Sequence, residues 1–193
     1  MPRQRKFEPN QVLDKAMHLF WRQGYTNTSL HELEEAMGIN RFSIYATFES
    51  KHALFLAALE RYRETVVARL IAGMEEPDAG IETIHRFFTQ FVDLAQGEAG
   101  NWGCFLCNSA TELALDDRDV AQEVEKYKAR ILRAFRHALT NAQQRGELPA
   151  STDRHEWELY LLGALFGLMV YTKMNTPPAA LERYIRTVLA HLS

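Results

Sequence analysis

Apolar residues return every three or four positions along nearly the whole of this 193-residue chain, and no run bounded by turns alternates as a half-buried strand does. With no strand signal to supply a sheet, stripes at that period are left to be buried by packing helix on helix, so the fold is expected to be all-α. Val12, Leu13, Ala16, Met17, Leu19 and Phe20 mark a first helix over about 9–23, closed by Gly24. Ser29 and Glu32 form a capping box that opens a second helix on Leu30, Leu33, Ala36 and Met37, and Gly38 stops it. Asn40 caps a third short helix to about Thr47. Ser50 caps a long fourth one carrying Leu54, Phe55, Ala58, Leu59, Tyr62, Val66 and Leu70, broken at Pro77. Further helices are expected over about 81–95, 104–113, 119–145, 153–173 and 179–192. The expected organisation is an N-terminal three-helix domain over 1–55, with a helix-turn-helix at about 29–48, and a larger helical domain over 56–193.

Composition removes several classes. With 47% hydrophobic and 24% charged residues the chain is neither disordered nor collagen-like. Its longest apolar run, Leu159 to Tyr171, falls short of the roughly 18–20 residues that span a bilayer. Met1 to Lys6 is basic but no apolar signal core follows it, so a cytoplasmic protein with no membrane partner is expected. Cys104 and Cys107 stand too close along a helix to staple distant parts of a fold. The net charge of −3, from 22 Lys+Arg and 25 Asp+Glu, argues on its face against nucleic acid. Residues 1–55, however, carry seven basic and six acidic side chains, leaving −4 on the remainder. The acidity lies mainly in the body of the protein.

The segment Ser29 to Phe48 has the layout of a tight helix-turn-helix. Leu33 and Ala36 face inward, Gly38 tolerates the positive φ of the turn, Ile39 fills the angle, and Ile44 and Phe48 anchor the second helix. Asn40, Arg41, Ser43 and Thr47 are left facing outward. In such motifs the second helix enters the major groove with its N-terminal side chains at base edges and phosphates, although an αα-hairpin in an ordinary helical core has similar spacing.

The run Gly24-Tyr25, Thr28-Ser29, Leu33, Ala36, Gly38-Ile39, Ser43-Ile44-Tyr45, Phe48, Ser50-Lys51 and Leu54-Phe55 resembles the DNA-binding region of the tetracycline-repressor (TetR) family of bacterial transcriptional regulators. The resemblance covers about residues 9–56 by motif, and the rest by length and all-α pattern. It implies a ligand-responsive regulator, in most cases a repressor, acting as a two-fold homodimer whose paired N-terminal domains read successive major grooves of double-stranded operator DNA. It further implies that Thr28 and Ser29 cap the second helix and touch a phosphate, and that Arg41, Phe42 and Ser43 face the groove. Tyr45 would hydrogen-bond a phosphate, and Lys51 would meet the backbone beside the exposed N–H groups of its helix. Family members often carry a small residue where Phe42 stands, so Phe42 either meets a thymine methyl or packs. Ala46 and Thr47 stand where larger polar residues often contribute. Arg3, Arg5 and Lys6 form a basic arm that reaches phosphates or a minor groove, or else a solvated terminus.

By the same resemblance the larger domain binds a small-molecule effector in an apolar cavity, and binding alters the separation of the two DNA-reading heads. The aromatic density of that domain places the expected lining at Phe87, Phe88, Phe91, Trp102, Cys104, Phe105, Cys107, Asn108, Thr111, Glu112 and Tyr160, with His85 and Gln90 as further polar groups. Each aromatic also fits an ordinary core stripe. The helix over 156–173 is apolar around much of its circumference. Leu159, Gly163, Phe166 and Gly167, with Leu181, Tyr184, Ile185 and Val188 of the last helix, are therefore expected at a four-helix dimer interface; the alternative is that both helices close the core of one subunit.

Three readings of Cys104-Phe105-Leu106-Cys107 stay open: buried structural thiols, a redox or electrophile sensor whose thiol acidity is raised by a helix start, and a partial metal site. An enzyme finds little support. GxSxG, a phosphate-cradling glycine loop and HExxH are absent, and Glu82-Thr83-Ile84-His85 is a single Glu-x-x-His where a di-iron bundle needs two. No cofactor and no metal are expected. A helical enzyme or adaptor remains the reading from a different class.

Overall fold

The computed structural model describes residues 7–97, 99–190 and 192. The basic arm at Arg3, Arg5 and Lys6 lies outside the described residues. Among the described residues the regular structure is helical throughout: α1 Pro9–Gln23, α2 Leu30–Met37, α3 Arg41–Phe48, α4 Lys51–Tyr62, α5 Ala68–Glu75, α6 Ile81–Leu94, α7 Phe105–Leu113, α8 Arg118–Gln144, α9 Arg154–Lys173 and α10 Pro178–Leu189. The long helix expected from 50 to 77 is interrupted. A π-helical turn, Arg63–Val67, separates α4 from α5, and within it the Thr65 hydroxyl donates to the Arg61 carbonyl at 2.7 Å.

The described chain divides into two compact units, and neither is continuous in sequence. The first holds residues up to Val66 together with Cys104–Val124. Its core is a run of aromatic rings. Phe55, with no exposure, meets Phe20 at 5.1 Å, Tyr25 at 4.9 Å and Phe105 at 5.6 Å between ring centroids. Tyr62 continues the run against Phe105 at 5.7 Å and Trp21 at 4.8 Å. Helices α1, α4 and α7 thus share one core, because each presents an aromatic on its buried stripe. Arg61 closes the edge by donating to both carboxylate oxygens of Asp14, at 2.7 and 3.1 Å.

The second unit comprises Val67–Gly103 and the residues from Glu125 onward. Phe87, Phe88 and Phe91 of α6 are at most 5% exposed, and Phe87 and Phe88 pack on Phe135 of α8 at 5.6 and 6.1 Å. Arg130 holds Glu75 through two bonds of 3.0 Å, and Arg136 makes a forked pair with the buried Glu158 of α9. Among the described residues no helix is long and apolar enough to cross a membrane.

Candidate nucleic-acid interface

The helix-turn-helix is built as its caps dictate. The Ser29 hydroxyl accepts from the Glu32 N–H at 3.2 Å while Glu32 accepts from the Ser29 N–H at 2.7 Å, which also holds the Glu32 carboxyl below its ordinary range. Gly38 takes the left-handed conformation at φ 71°, which lets α2 end and α3 start within three residues. Asn40 then caps α3 by accepting from the Ser43 N–H at 2.9 Å. Leu33, Met37 and Ile44, each at most 1% exposed, weld the two helices together. Met37, more than the half-buried Ala36, is the inward residue at the end of α2.

What this leaves outside is a face with one cation and two aromatic rings. Asn40, Arg41, Phe42 and Tyr45 are exposed, Ser43 and Thr47 half-buried. Phe42 is 78% exposed, so of its two readings the one in which it packs within its own chain is excluded. Arg41 lies 3.7 Å from Glu34, close enough to be oriented and still solvated.

One expected phosphate contact, that of Thr28, is corrected, and Lys51 has a further partner inside the protein. Thr28 is wholly buried and donates its hydroxyl to the Gly24 carbonyl at 2.6 Å, so it braces the α1–α2 turn and Ser29 alone caps α2. Lys51 is half-buried, donates to the Tyr25 carbonyl at 2.7 Å and lies 4.3 Å over the Tyr25 ring. Burial lowers its pKa against the opposing pull of Glu112 and Glu32. At least one of its N–H donors is therefore spent inside the protein.

The same turn is held from α7. Glu112 accepts from the backbone N–H groups of Tyr25 at 3.1 Å and Thr26 at 2.8 Å. Gly24, at φ 81°, lies so near that a Cβ there would come within 2.7 Å of the Glu112 carboxylate. A few residues on, Asp117 joins His52 of α4 at 2.7 Å. The sequence offered Glu112 as a pocket residue; the structure makes it the tie between α7 and the turn that leads into α2. In Glu112→Gln one N–H of the turn faces an amide donor, so hydrogen exchange at Tyr25 and Thr26 is expected to quicken about tenfold, and unchanged exchange would show that the tie is idle.

His52, Asp117 and Asp119 also bring ligand-type atoms within 4.8 Å of one another. Asp117 is already committed. Although partial burial raises its pKa, bonds from the Val120 N–H and from His52 outweigh that and lower it overall. It caps the start of α8 by accepting from Asp119 and Val120, both at 3.1 Å.

The expected effector lining draws on residues of both units. Phe87, Phe88, Phe91, Trp102 and Tyr160 belong to the second unit, while Cys104, Phe105, Cys107, Asn108, Thr111 and Glu112 belong to the first. The three α6 phenylalanines are core, Tyr160 is 47% exposed, and Thr111 is exposed with its hydroxyl on the Asn108 carbonyl. Cys104, 2% exposed, precedes α7 beside Tyr62, whose phenol pKa is pushed well up by burial and then by the thiol. Cys104 and Cys107 form no disulfide.

The expected dimer residues separate into two sets. Leu181, Ile185 and Val188 are at most 4% exposed and close the core of their own chain. Tyr184 lies against Gly167 and donates to the Ala164 carbonyl at 3.0 Å, so the small residue at 167 receives α10 of the same chain. Phe166, half-buried, stacks near Tyr127 at 6.4 Å. Leu159 is 52% exposed, and a Cβ at Gly163 would meet nothing within 4 Å. Val170 at 55% and, just past the end of α9, Met174 at 69% continue that open stripe, and neither is marked out by the sequence pattern.

Residues 12–58 match the family described as bacterial regulatory proteins, tetR family. Residues 80–188, more than half of the chain, match the tetracyclin repressor-like, C-terminal domain. The chain belongs to the TetR family. Among its relatives, the HTH-type transcriptional repressor ComR of Escherichia coli (strain K12) is 34% identical over 185 residues, 95% of this chain and 87% of that protein. The uncharacterized HTH-type transcriptional regulator YezE of Bacillus subtilis (strain 168) is 30% identical over the full length of both. A cysteine mutant of the TetR family regulator CifR, solved in complex with 26bp double-strand operator DNA, superposes with a TM-score of 0.88 at 27% identity and covers 98% of each chain. As a TetR-family protein this chain is a helix-turn-helix transcriptional regulator, and α2 and α3 are its helix-turn-helix.

Proposed function

We propose that the protein is a dimeric, cytoplasmic repressor that holds double-stranded operator DNA through α3 and releases it when a small-molecule effector binds. The observation that carries this reading is the face of α3, where Arg41, Phe42 and Tyr45 stand exposed at the helix's solvent side while Ile44 is wholly buried. A major groove admits such a helix. Arg41 supplies bidentate donors for a guanine edge or a phosphate, Phe42 an apolar surface for a thymine methyl, and Tyr45 a phenol for a phosphate. Asn40, Ser43 and Thr47 complete the base-facing set, with Ser29 at the start of α2 beside the backbone. Lys51 acts mainly by fixing the Tyr25 turn, and the basic arm adds sequence-independent attraction. Residues 1–55 form the DNA-reading head and 56–193 the effector-binding and dimerisation part.

Two subunits associate through the open stripe of α9 at Leu159, Gly163 and Val170, continued by Met174 at its end, which supplies the two-fold axis that paired half-sites require. An effector shifts operator affinity only by its preference between two arrangements of the heads, so effector and operator antagonise each other reciprocally. The Glu112 tie is the route by which a displacement of α7 reaches the head.

The test is fluorescence anisotropy with duplex DNA from upstream of the protein's own gene. Arg41→Ala is expected to weaken binding by about 1–3 kcal/mol and relax specificity at one base position. Tyr45→Phe is expected to weaken all sequences alike and to leave the salt slope unchanged, because a neutral phenol displaces no counterion from the phosphate it bonds. Affinity that survives both substitutions together would refute α3 as the reading element.

A further inference from the structure

Helix α6 turns two faces to different neighbours. Ile84, Phe87, Phe88 and Phe91 enter the core, whereas His85, Thr89 and Val92, spaced i, i+4, i+7, border a groove of about 430 Å³ shared with Ile185, Arg186 and Leu189 of α10. That volume is in the range of small-ligand pockets. His85 lines the groove with its ring, and its Nε2 atom is buried without a hydrogen-bond partner, a condition that folded proteins rarely retain. Thr89 cannot serve it with its proton, because its hydroxyl is donated to the His85 and Arg86 carbonyls at 3.0 and 3.2 Å. Arg186 is exposed and, among the described residues, forms no ion pair with Glu182 one turn earlier on α10. The groove therefore combines an apolar wall with a guanidinium that has no ion pair among the described residues, and beside them lies a buried imidazole nitrogen in want of a partner.

We infer that this groove binds a small monocarboxylate with an apolar tail. The carboxylate accepts from the Arg186 guanidinium and, once the His85 ring turns its buried Nε2–H toward the groove, from His85, and the tail lies on Val92, Ile185 and Leu189. Glu182 on the rim repels a second negative charge, which selects a monoanion over a dicarboxylate or a phosphate dianion. Binding here does not depend on the DNA-reading proposal and is read with no operator present.

The test uses the full chain with sodium octanoate as probe, by calorimetry and by the side-chain NMR signal of His85, assigned by its loss in His85→Phe. Saturable octanoate binding that moves the His85 signal is expected, weakened about tenfold in His85→Phe and in Arg186→Gln, and weakened to a similar degree when 1-octanol replaces octanoate. Thr89→Trp, which keeps both polar groups but fills the groove, is expected to abolish binding while melting as wild type does. Octanoate binding unaltered in Thr89→Trp, equal affinity for octanol, wild-type affinity in both polar variants, or no saturable binding to the wild type would each overturn the assignment.

Discussion

Leu159→Asp combined with Val170→Asp is expected to make the protein sediment as a monomer at micromolar concentration and to weaken operator binding by about 10²–10⁴-fold. The two residues are 52% and 55% exposed on α9, on either side of Gly163, where no atom of the same chain fills the space. An interface along this stripe would bury both carboxylates against the same residues of the partner, since a two-fold axis sets each surface against its own copy. Loss of the dimer then costs the effective concentration that one bound head confers on the other, with α3 itself unaltered. Retained dimers would move the interface elsewhere on the molecule. A monomer that binds operator as tightly as wild type would remove the need for paired heads.

Phe55→Ala is expected to destabilise the protein by about 3–5 kcal/mol, read as a lower midpoint in urea unfolding. Phe55 has no exposure, and three rings converge on it: Phe20 of α1, Tyr25 of the α1–α2 turn and Phe105 at the start of α7. Truncation leaves a cavity and also removes the edge-on ring contacts, each worth about 0.5–1.5 kcal/mol beyond burial. Tyr25 also accepts from Lys51 at its carbonyl and donates its N–H to Glu112, so the damage reaches the ties that set the turn before α2. A loss under about 1 kcal/mol would mean that the neighbouring rings collapse into the space and that the column is not what fixes the turn.

The helix-turn-helix was legible because its instructions are local. Ser29 with Glu32, Gly38 and Asn40 each act within three or four residues, and each does in the structure what its chemistry dictates. Thr28 was misplaced, and the internal partner of Lys51 missed, for the opposite reason. Nothing near Thr28 in sequence announces that it is wholly buried, and the Lys51 acceptor is 26 residues away at Tyr25. Glu112 lies 87 residues from the N–H it accepts, and the positive φ of Gly24 is the one local trace of that approach. The aromatic stripe of α6 and the apolar stripe of α10 were correctly seen as stripes. Periodicity tells which face is buried and not what buries it, so Phe87, Phe88 and Phe91 fit a core and a cavity wall alike, and Leu181, Ile185 and Val188, which close the core of their own chain, read as a subunit interface. The π-turn at Arg63–Val67 had no proline or glycine to mark it.

Selection of bound duplexes from a random-sequence library by the purified full-length protein tests the central claim most directly. Two identical heads reading successive major grooves predict an enriched inverted repeat whose half-site centres lie one helical turn, about 10–10.5 base pairs, or a multiple of it apart. The repeat is lost with Arg41→Ala. A pool without any enriched sequence, or one enriched for a single unrepeated site that Arg41→Ala binds equally well, would contradict the account.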